Sequence, residues 1–407
     1  MMDLTRRLFL KSSGIGLLAL GLPPSFLVRA AAGETEKKNK VLVVVFQRGG
    51  MDGLNAVIPF KDRAYRALRP TIAVAEPGSG ADRAVDLDGF YGFHPALGPL
   101  KPLFAAGRLA VVHAAGSPDN SRSHFDAQDY METGTPGVKS IRDGWLNRLL
   151  QDGAAGGPLR AAAVTFRMPR ILAGDAPALT LTSVEEFRLR DPLLAPALEQ
   201  RYASVSDPLL RKSAAGLFDA MRTLQATGAS SAPPSKETYP SGRFGASLKQ
   251  IAALVKSKVG LEIAFTEVDG WDTHVAEGGA SGQMANRLKE FAEGLAAFAR
   301  DLGDYIEDVV LVTLSEFGRT ARENGNRGTD HGHGNVMFVM GGKVKGGKVY
   351  GRWPGLDPDG LYEGRDLALT TDFRAVCGEV LARHLGRTDQ GKIFPAYRAP
   401  APLGIVT

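Results

Sequence analysis

The stretch KVLVVVF, residues 40–46, is an unbroken apolar run, most of it β-branched. A strand with one wet face alternates apolar and polar residues, whereas a strand covered on both faces does not. The run therefore predicts a strand buried on both sides, in a sheet sandwiched by helices. LAVVHAAG (109–116), GLEIAFTEV (260–268), DVVLVTLSEF (308–317) and NVMFVMGG (335–342) have the same character. Helical patterns lie among them: SHFDAQDYMETG (123–134), GRFGASLKQIAALVKSKVG (242–260), ANRLKEFAEGLAAFARDLGDYIED (285–308) and TDFRAVCGEVLARHLG (371–386). This alternation predicts a three-layer α/β/α sandwich with a mostly parallel central sheet. Residues 151–243 differ. They read as a helix-rich insertion within one domain, and their TGASSAPPSK segment (227–236) has the Gly, Ser and Pro content of a flexible loop.

In such sheets ligands collect at the carboxyl ends of the strands, and the polar motifs of this chain fall there. QRGGMDGLN (47–55) follows the first strand and carries Arg48, Asp52 and Asn55. SPDNSRSHFDAQDYMETG (117–134) brings Arg122, Ser123 and His124 to a helix start. DGWDTH (269–274) supplies Asp272 and His274, SEFGRT (315–320) supplies Glu316 and Arg319, and RGTDHGHGN (327–335) supplies Asp330, His331 and His333. Of seven histidines, these four lie in the turns, His94 and His113 lie close by, and His384 sits on an ordinary helix.

Carboxylates and imidazoles drawn from separate strand ends suit a divalent cation. Mixed Asp/Glu/His sets favour Zn or Mn, and carboxylate-rich sets favour Ca or Mg. The expected ligands are Asp52, Asp272, His274, Glu316, Asp330, His331 and His333. Simpler roles compete at three positions. Asp52 can be a turn aspartate holding its own backbone, Ser123 can cap the helix that follows, and His274 can be a satisfied polar histidine. In an extended entry to the strand at 335, residues i and i+2 share a side. His331 and His333 are then expected to face one ion while Gly332 lets the backbone pass close by. Asp330 would point away and orient an imidazole.

Residues 1–32 have the form of an export signal. TRRLFLKSS places Arg6 and Arg7 ahead of the apolar GIGLLALGL, and Ala30-Ala31-Ala32 offers a cleavage site. A twin-arginine pair with this flank predicts the Tat route, with the Tat translocase as partner and a periplasmic or extracellular destination. The apolar run is shorter than the ~20 residues of a spanning helix, and no membrane span is expected in residues 33–407. Without Arg6, Arg7, Lys11, Arg29 and Asp3 the remainder holds 45 basic and 43 acidic residues. A balance this even gives no nucleic-acid footprint. Cys377 is the only cysteine, so no intramolecular disulfide can form.

Taken in order, VVVFQRGGMDGLN, FHPAL, SRSHFDAQDYMETG, GWDTH, SEFGRT, GTDHGHGN and TTDFRAVCGEVLARHLG resemble a bacterial Tat-exported family catalogued as domain of unknown function 1501. That family is grouped with the alkaline phosphatase and sulfatase superfamily. The resemblance implies an alkaline phosphatase-like, metal-dependent sandwich, with Asp and His ligands at strand ends and a nucleophile at a helix start. The chain departs from the superfamily pattern in five respects. Gln47 and Arg48 stand where the first acidic ligand is usual. Asp272-x-His274 replaces a wider Asp/His spacing, and Glu316-Phe317 replaces an Asp-His pair. The interval counted back from Thr133-Gly134 lands on His124, one residue from Ser123. No Cys or Ser lies in a formylglycine sequence.

The expected activity is metal-dependent hydrolysis of an anionic phosphate or sulfate ester. Ser123 would attack, with His124 beside it and Arg122 or Arg319 holding the anion. The rival expectation is a non-catalytic, metal-stabilised binding or assembly protein of the cell envelope.

Overall fold

The structure is a computed structural model describing residues 40–407, except 154–155, 190, 229–234 and the side chain of residue 192. The signal segment expected at 1–32 lies outside the described residues. Lys40–Thr407 forms one unit.

The run at 40–46 becomes β1, Val41–Gln47, with all seven residues buried. Along it Val41, Val43 and Val45 join one core, while Leu42, Val44 and Phe46 join another on the opposite face. Alternate residues thus serve two apolar layers, which is why the run has no polar positions. The other strands of the central sheet are β2 (Leu109–Gly116), β3 (Ala161–Val164), β4 (Leu179–Leu181), β5 (Ile263–Val268), β6 (Val309–Leu314), β7 (Asn335–Gly341), β8 (Val349–Tyr350) and β9 (Thr371–Asp372). Their order is β8-β2-β7-β6-β1-β5-β3-β4, with β9 also paired to β2. β1 is parallel to both neighbours, Val43 standing opposite Ala264 and Leu311.

β7 alone runs against the rest, antiparallel to β2 and β6. No helix is needed to reverse direction between β6 and β7, so residues 315–334 form a loop. The reversal has a geometric consequence. β7 begins at the same edge where β1, β2, β5 and β6 end, Asn335 pairing with Ala115 near the end of β2. All five polar segments singled out in the sequence therefore lie at one edge of the sheet.

Helices cover both faces. On one side, α6 (Arg243–Lys256) and α7 (Gln283–Leu302) pack Phe244, Leu248, Leu288, Phe291 and Leu295 onto the valines of β1. On the other lie α3 (Trp145–Gln151) and α8 (Phe373–Arg383), with Trp145, Leu149, Phe373, Val376 and Val380. Cys377 of α8 is buried in this second core, where burial pushes its thiol above the ordinary range. Two shorter helices bear on the site: α1 (Gly53–Ala56) after β1, and α2 (His124–Thr133) after β2.

The segment 151–243 is only partly the helix-rich insertion expected. β3 and β4 lie within it and extend the central sheet beyond β5. Among the described residues of this segment, the helices α4 (Ala195–Ala203) and α5 (Pro208–Ala226) account for the rest of its regular structure apart from two short 3-10 turns. No helix of the described residues is long and apolar enough to cross a membrane.

Candidate metal centre

At the shared edge, three imidazoles and a carboxylate converge. Ser123 caps α2, its hydroxyl accepting from Asp126 N, so His124 opens the helix and projects from its first turn. Asp272 and His274 come from the loop after β5, and His331 comes from the loop entering β7.

Each ring is held through Nδ1. His124 Nδ1–H donates to Glu316 Oε1 at 2.8 Å, His274 Nδ1–H to Asp330 Oδ1 at 3.0 Å, and His331 Nδ1–H to the Arg122 carbonyl at 2.8 Å. Carbonyl and ionised carboxylate oxygens only accept, so the proton of each neutral ring sits on Nδ1 and the lone pair on Nε2. The Nε2 atoms of His274 and His331 face one another at 2.9 Å, and Asp272 Oδ1 is 3.1 Å from both. His124 Nε2 is 3.4 Å from Asp272 Oδ2 and is buried with no hydrogen-bond partner. Ligand atoms of His124, Asp272 and His331 all lie within 4.8 Å of one another, as a metal-holding group requires. Two lone pairs pointing at each other repel unless a cation or proton lies between them. Burial pushes His331 below its usual range, and His124 and Arg319 act in the same direction, so the ring is a poor home for a proton.

The surroundings reinforce this polarity. Glu316 is buried, yet hydrogen bonds from His124, Gln128 and Gly49 N outweigh burial and hold its carboxyl below the usual range. The same Glu316 contact raises His124. Burial opposes ionisation of Asp272, but Arg319 overcomes it and holds the carboxyl down at about 2. Phe317 packs its ring 4.9 Å from that of His124 and 4.8 Å from that of His331, walling one side with hydrocarbon.

The expected site residues therefore separate. His124, Asp272, His274 and His331 converge. Glu316 and Asp330 stand one step back, each fixing a ring. Asp52 is elsewhere: its Oδ1 caps α1 through Leu54 N and Asn55 N, and its Oδ2 pairs with Arg69 at 2.5 Å. The turn-aspartate role, which the Gly-rich loop also allowed, is the one it fills. His333 departs as well. The backbone bends between His331 and β7 instead of staying extended, and the His333 ring stacks on Tyr362 with centroids 4.3 Å apart. Gly332 is required at the bend, since a Cβ there would lie 2.3 Å from the Arg319 carbonyl carbon.

Arg319 is not free to take an anion, and Arg122 is engaged through Nη2 while its buried Nε has no hydrogen-bond partner. Arg319 has a fully buried side chain spent on Asp272 Oδ1 (2.6 Å), on the carbonyls of Gly50 (2.6 Å), Trp271 (2.9 Å) and Thr329 (3.1 Å), and on that of Gly49. It braces the site from within. Arg122 is paired with Glu363 at 2.7 Å and Asp366 at 2.8 Å. Ser123 is the exposed helix cap already described.

Sequence reading missed Gln128, Asn324, Arg69 and Glu277. Gln128 lies one helical turn after His124, so a search along that face would have found it. Asn324 donates to Asp330 Oδ1 at 3.1 Å and to the His274 carbonyl at 2.9 Å. Nothing in RALRP signals the role of Arg69.

Fold and site together define a class: an α/β/α sandwich with a His/Asp cluster at the strand-end edge. More particularly, the chain belongs to the DUF1501 family, described as protein of unknown function, whose sequence profile matches residues 107–396. No curated protein matches the chain. Among solved structures, it is similar to the C-terminal periplasmic domain of EptC from Escherichia coli, in complex with Zn. The identity is 10% and the TM-score 0.36, over 76% of this chain and 74% of that one. The lipoteichoic acid synthase LtaP from Listeria monocytogenes is 10% identical with a TM-score of 0.35, over 82% of this chain and 75% of that one.

Proposed function

We propose that the chain is an exported, metal-dependent hydrolase of phosphate or sulfate esters, with His124, His274, His331 and Asp272 as the metal-binding set. One observation carries the metal assignment: three rings each spend Nδ1 on a fixed acceptor and turn Nε2 toward a common carboxylate. Imidazole donors with one carboxylate favour Zn or a similar ion over Ca or Mg. A divalent ion held there would polarise an ester oxygen and make its bound water acidic. The residues of the chain do the rest. Glu316, Asp330 and the Arg122 carbonyl lock the three tautomers. Arg319 keeps Asp272 ionised, and Phe317 keeps water from one flank. Ser123, which precedes His124 at the helix start, is the hydroxyl assigned as nucleophile in this reading. The twin-arginine pair would deliver the folded protein through the Tat translocase to the periplasm or beyond.

A second reading, a non-catalytic metal-stabilised envelope protein, is favoured by the engagement of Arg122, Arg319 and Ser123 in structural contacts. The two separate in one experiment. Purified protein loaded with Zn or Mn is assayed on p-nitrophenyl phosphate and p-nitrophenyl sulfate, beside Ser123→Ala and a His124→Ala/His331→Ala double variant. The hydrolase reading expects turnover lost in the double variant. Stoichiometric metal with no turnover on a broad ester panel would move the assignment to the second reading.

A further inference from the structure

Beneath the cluster lie three ionisable side chains that the proposed chemistry does not use. Asp52, Arg69 and Glu277 are each at most 1% exposed. Arg69 pairs with Asp52 and donates to the carbonyls of Ala321 at 3.0 Å and Thr320 at 2.8 Å. Glu277 Oε2 accepts from Thr273 Oγ1 at 3.0 Å and from Thr329 Oγ1 at 2.6 Å, while its Oε1 accepts from Asn55 Nδ2 at 3.4 Å. The pattern of endpoints is specific. Thr273 stands between Asp272 and His274, Thr329 immediately precedes Asp330 and His331, and Thr320 immediately follows Arg319.

We propose that Glu277, seated on Asp52 and Arg69, is a positioning residue that clamps the loop bearing Asp272 and His274 to the loop bearing Asp330 and His331, and so sets the affinity of the metal centre. The proposal rests on the metal reading above. Both loops are irregular over these residues and are joined by a few backbone hydrogen bonds, Thr329 N to the Thr273 carbonyl at 3.1 Å, Ala276 N to that of Asn326 at 2.9 Å and Glu277 N to that of Arg327 at 2.9 Å. Two hydroxyls meeting on one carboxyl oxygen add a side-chain tie to these bonds at the residues flanking the ligands, and ligand sets on loops need such support to bind tightly. The protonation pattern is consistent with a clamp. Burial, together with the neighbouring Asp52, raises Glu277 well above the usual carboxyl range. Burial works against ionisation of Asp52 too, but Arg69 holds it down. The two carboxyls are thus pushed in opposite directions, Asp52 toward its ionised form against Arg69 and Glu277 toward its protonated form.

The test measures Zn affinity of the purified chain by competition with a chromophoric chelator, alongside melting curves in EDTA. Wild type, Glu277→Ala, Glu277→Gln and Thr329→Val are compared. Glu277→Ala is expected to weaken Zn about 10–100-fold, the usual loss when a group orienting the ligands is removed. Glu277→Gln should retain affinity within about threefold, because its amide keeps both a donor and an acceptor. Thr329→Val removes one hydroxyl at constant shape and should weaken Zn about tenfold. It also covers the case in which Glu277→Ala fails to fold. Wild-type affinity in Thr329→Val and in folded Glu277→Ala, with melting alone lowered, overturns the clamp and leaves the metal reading standing. A wild-type chain that binds no Zn overturns the metal reading and the clamp with it.

Discussion

Two groups of histidines in this molecule show opposite uses of the same side chain. Inside the fold, His94 and His113 spend both ring nitrogens on backbone. His94 Nδ1 accepts from Ala96 N while its Nε2–H donates to the Gly279 carbonyl, and His113 does the same with Ala114 N and the Val57 carbonyl. At the strand-end edge, His124, His274 and His331 spend only Nδ1 on fixed oxygen acceptors and aim Nε2 at one another or at Asp272. The first arrangement is complete in the folded protein. The second leaves lone pairs facing lone pairs, a repulsion that a cation or a proton between them would relieve. Satisfaction of polar atoms, more than residue type, separates scaffold from site here. The carboxylates divide in the same way, with Asp52 sealed against Arg69 and Asp272 half open beside the rings.

The largest effect expected on the scaffold side is at Arg69. Arg69→Met leaves Asp52 buried without its partner and should destabilise the protein by about 3–5 kcal/mol in a denaturant melt. His331→Ala, assayed in chelator, should change stability by no more than about 1 kcal/mol, because a ring with an unmet lone pair contributes little to the metal-free fold. Equal losses in the two variants would erase the distinction between the regions.

A second test uses pH. Burial pushes His113 down to about 4 and lowers His94 as well. Both rings take up a proton near 6.5 when unfolded. Between those values the unfolded chain binds more protons than the folded one, so stability must fall as pH falls from about 6.5 toward 4. The expected slope is about 1.4 kcal/mol per pH unit from His113, with His94 adding in the same direction, read from denaturation midpoints in chelator. A flat profile over that range would contradict the sealed state of the inner histidines.

Ser123→Ala should cost about 1 kcal/mol from the lost helix cap. A larger loss of ester turnover at unchanged stability would assign the hydroxyl a second, chemical role.

The long strands were legible because five apolar runs had to satisfy cores on two faces. β3 was not, since AAAV (161–164) is four residues long and its alanines lack the β-branched signal. The reversed direction of β7 was also hidden, because a strand buried on both faces looks the same either way. At the site, the clustering of histidines in strand-end turns pointed to His274 and His331 as ligands, whereas His124 was expected beside the nucleophile and not among them. Asp52 misled because a capping aspartate and a ligating aspartate in a Gly-rich loop have one appearance. His333 misled because the i, i+2 rule holds for extended backbone, and Gly332 allows a bend instead. Arg69 and Glu277 act through contacts between loops 17 and 222 residues apart in sequence, which no local pattern records.

The central claim is that the three facing imidazoles are built for a divalent cation. Elemental analysis of the protein purified from the periplasm, paired with melting curves with and without EDTA, tests it most directly in wild type and in His124→Ala/His331→Ala. The account predicts about one equivalent of Zn or a similar ion in wild type, a melting temperature lowered by EDTA, and neither property in the double variant. Metal content and EDTA response that are the same in both proteins would contradict it.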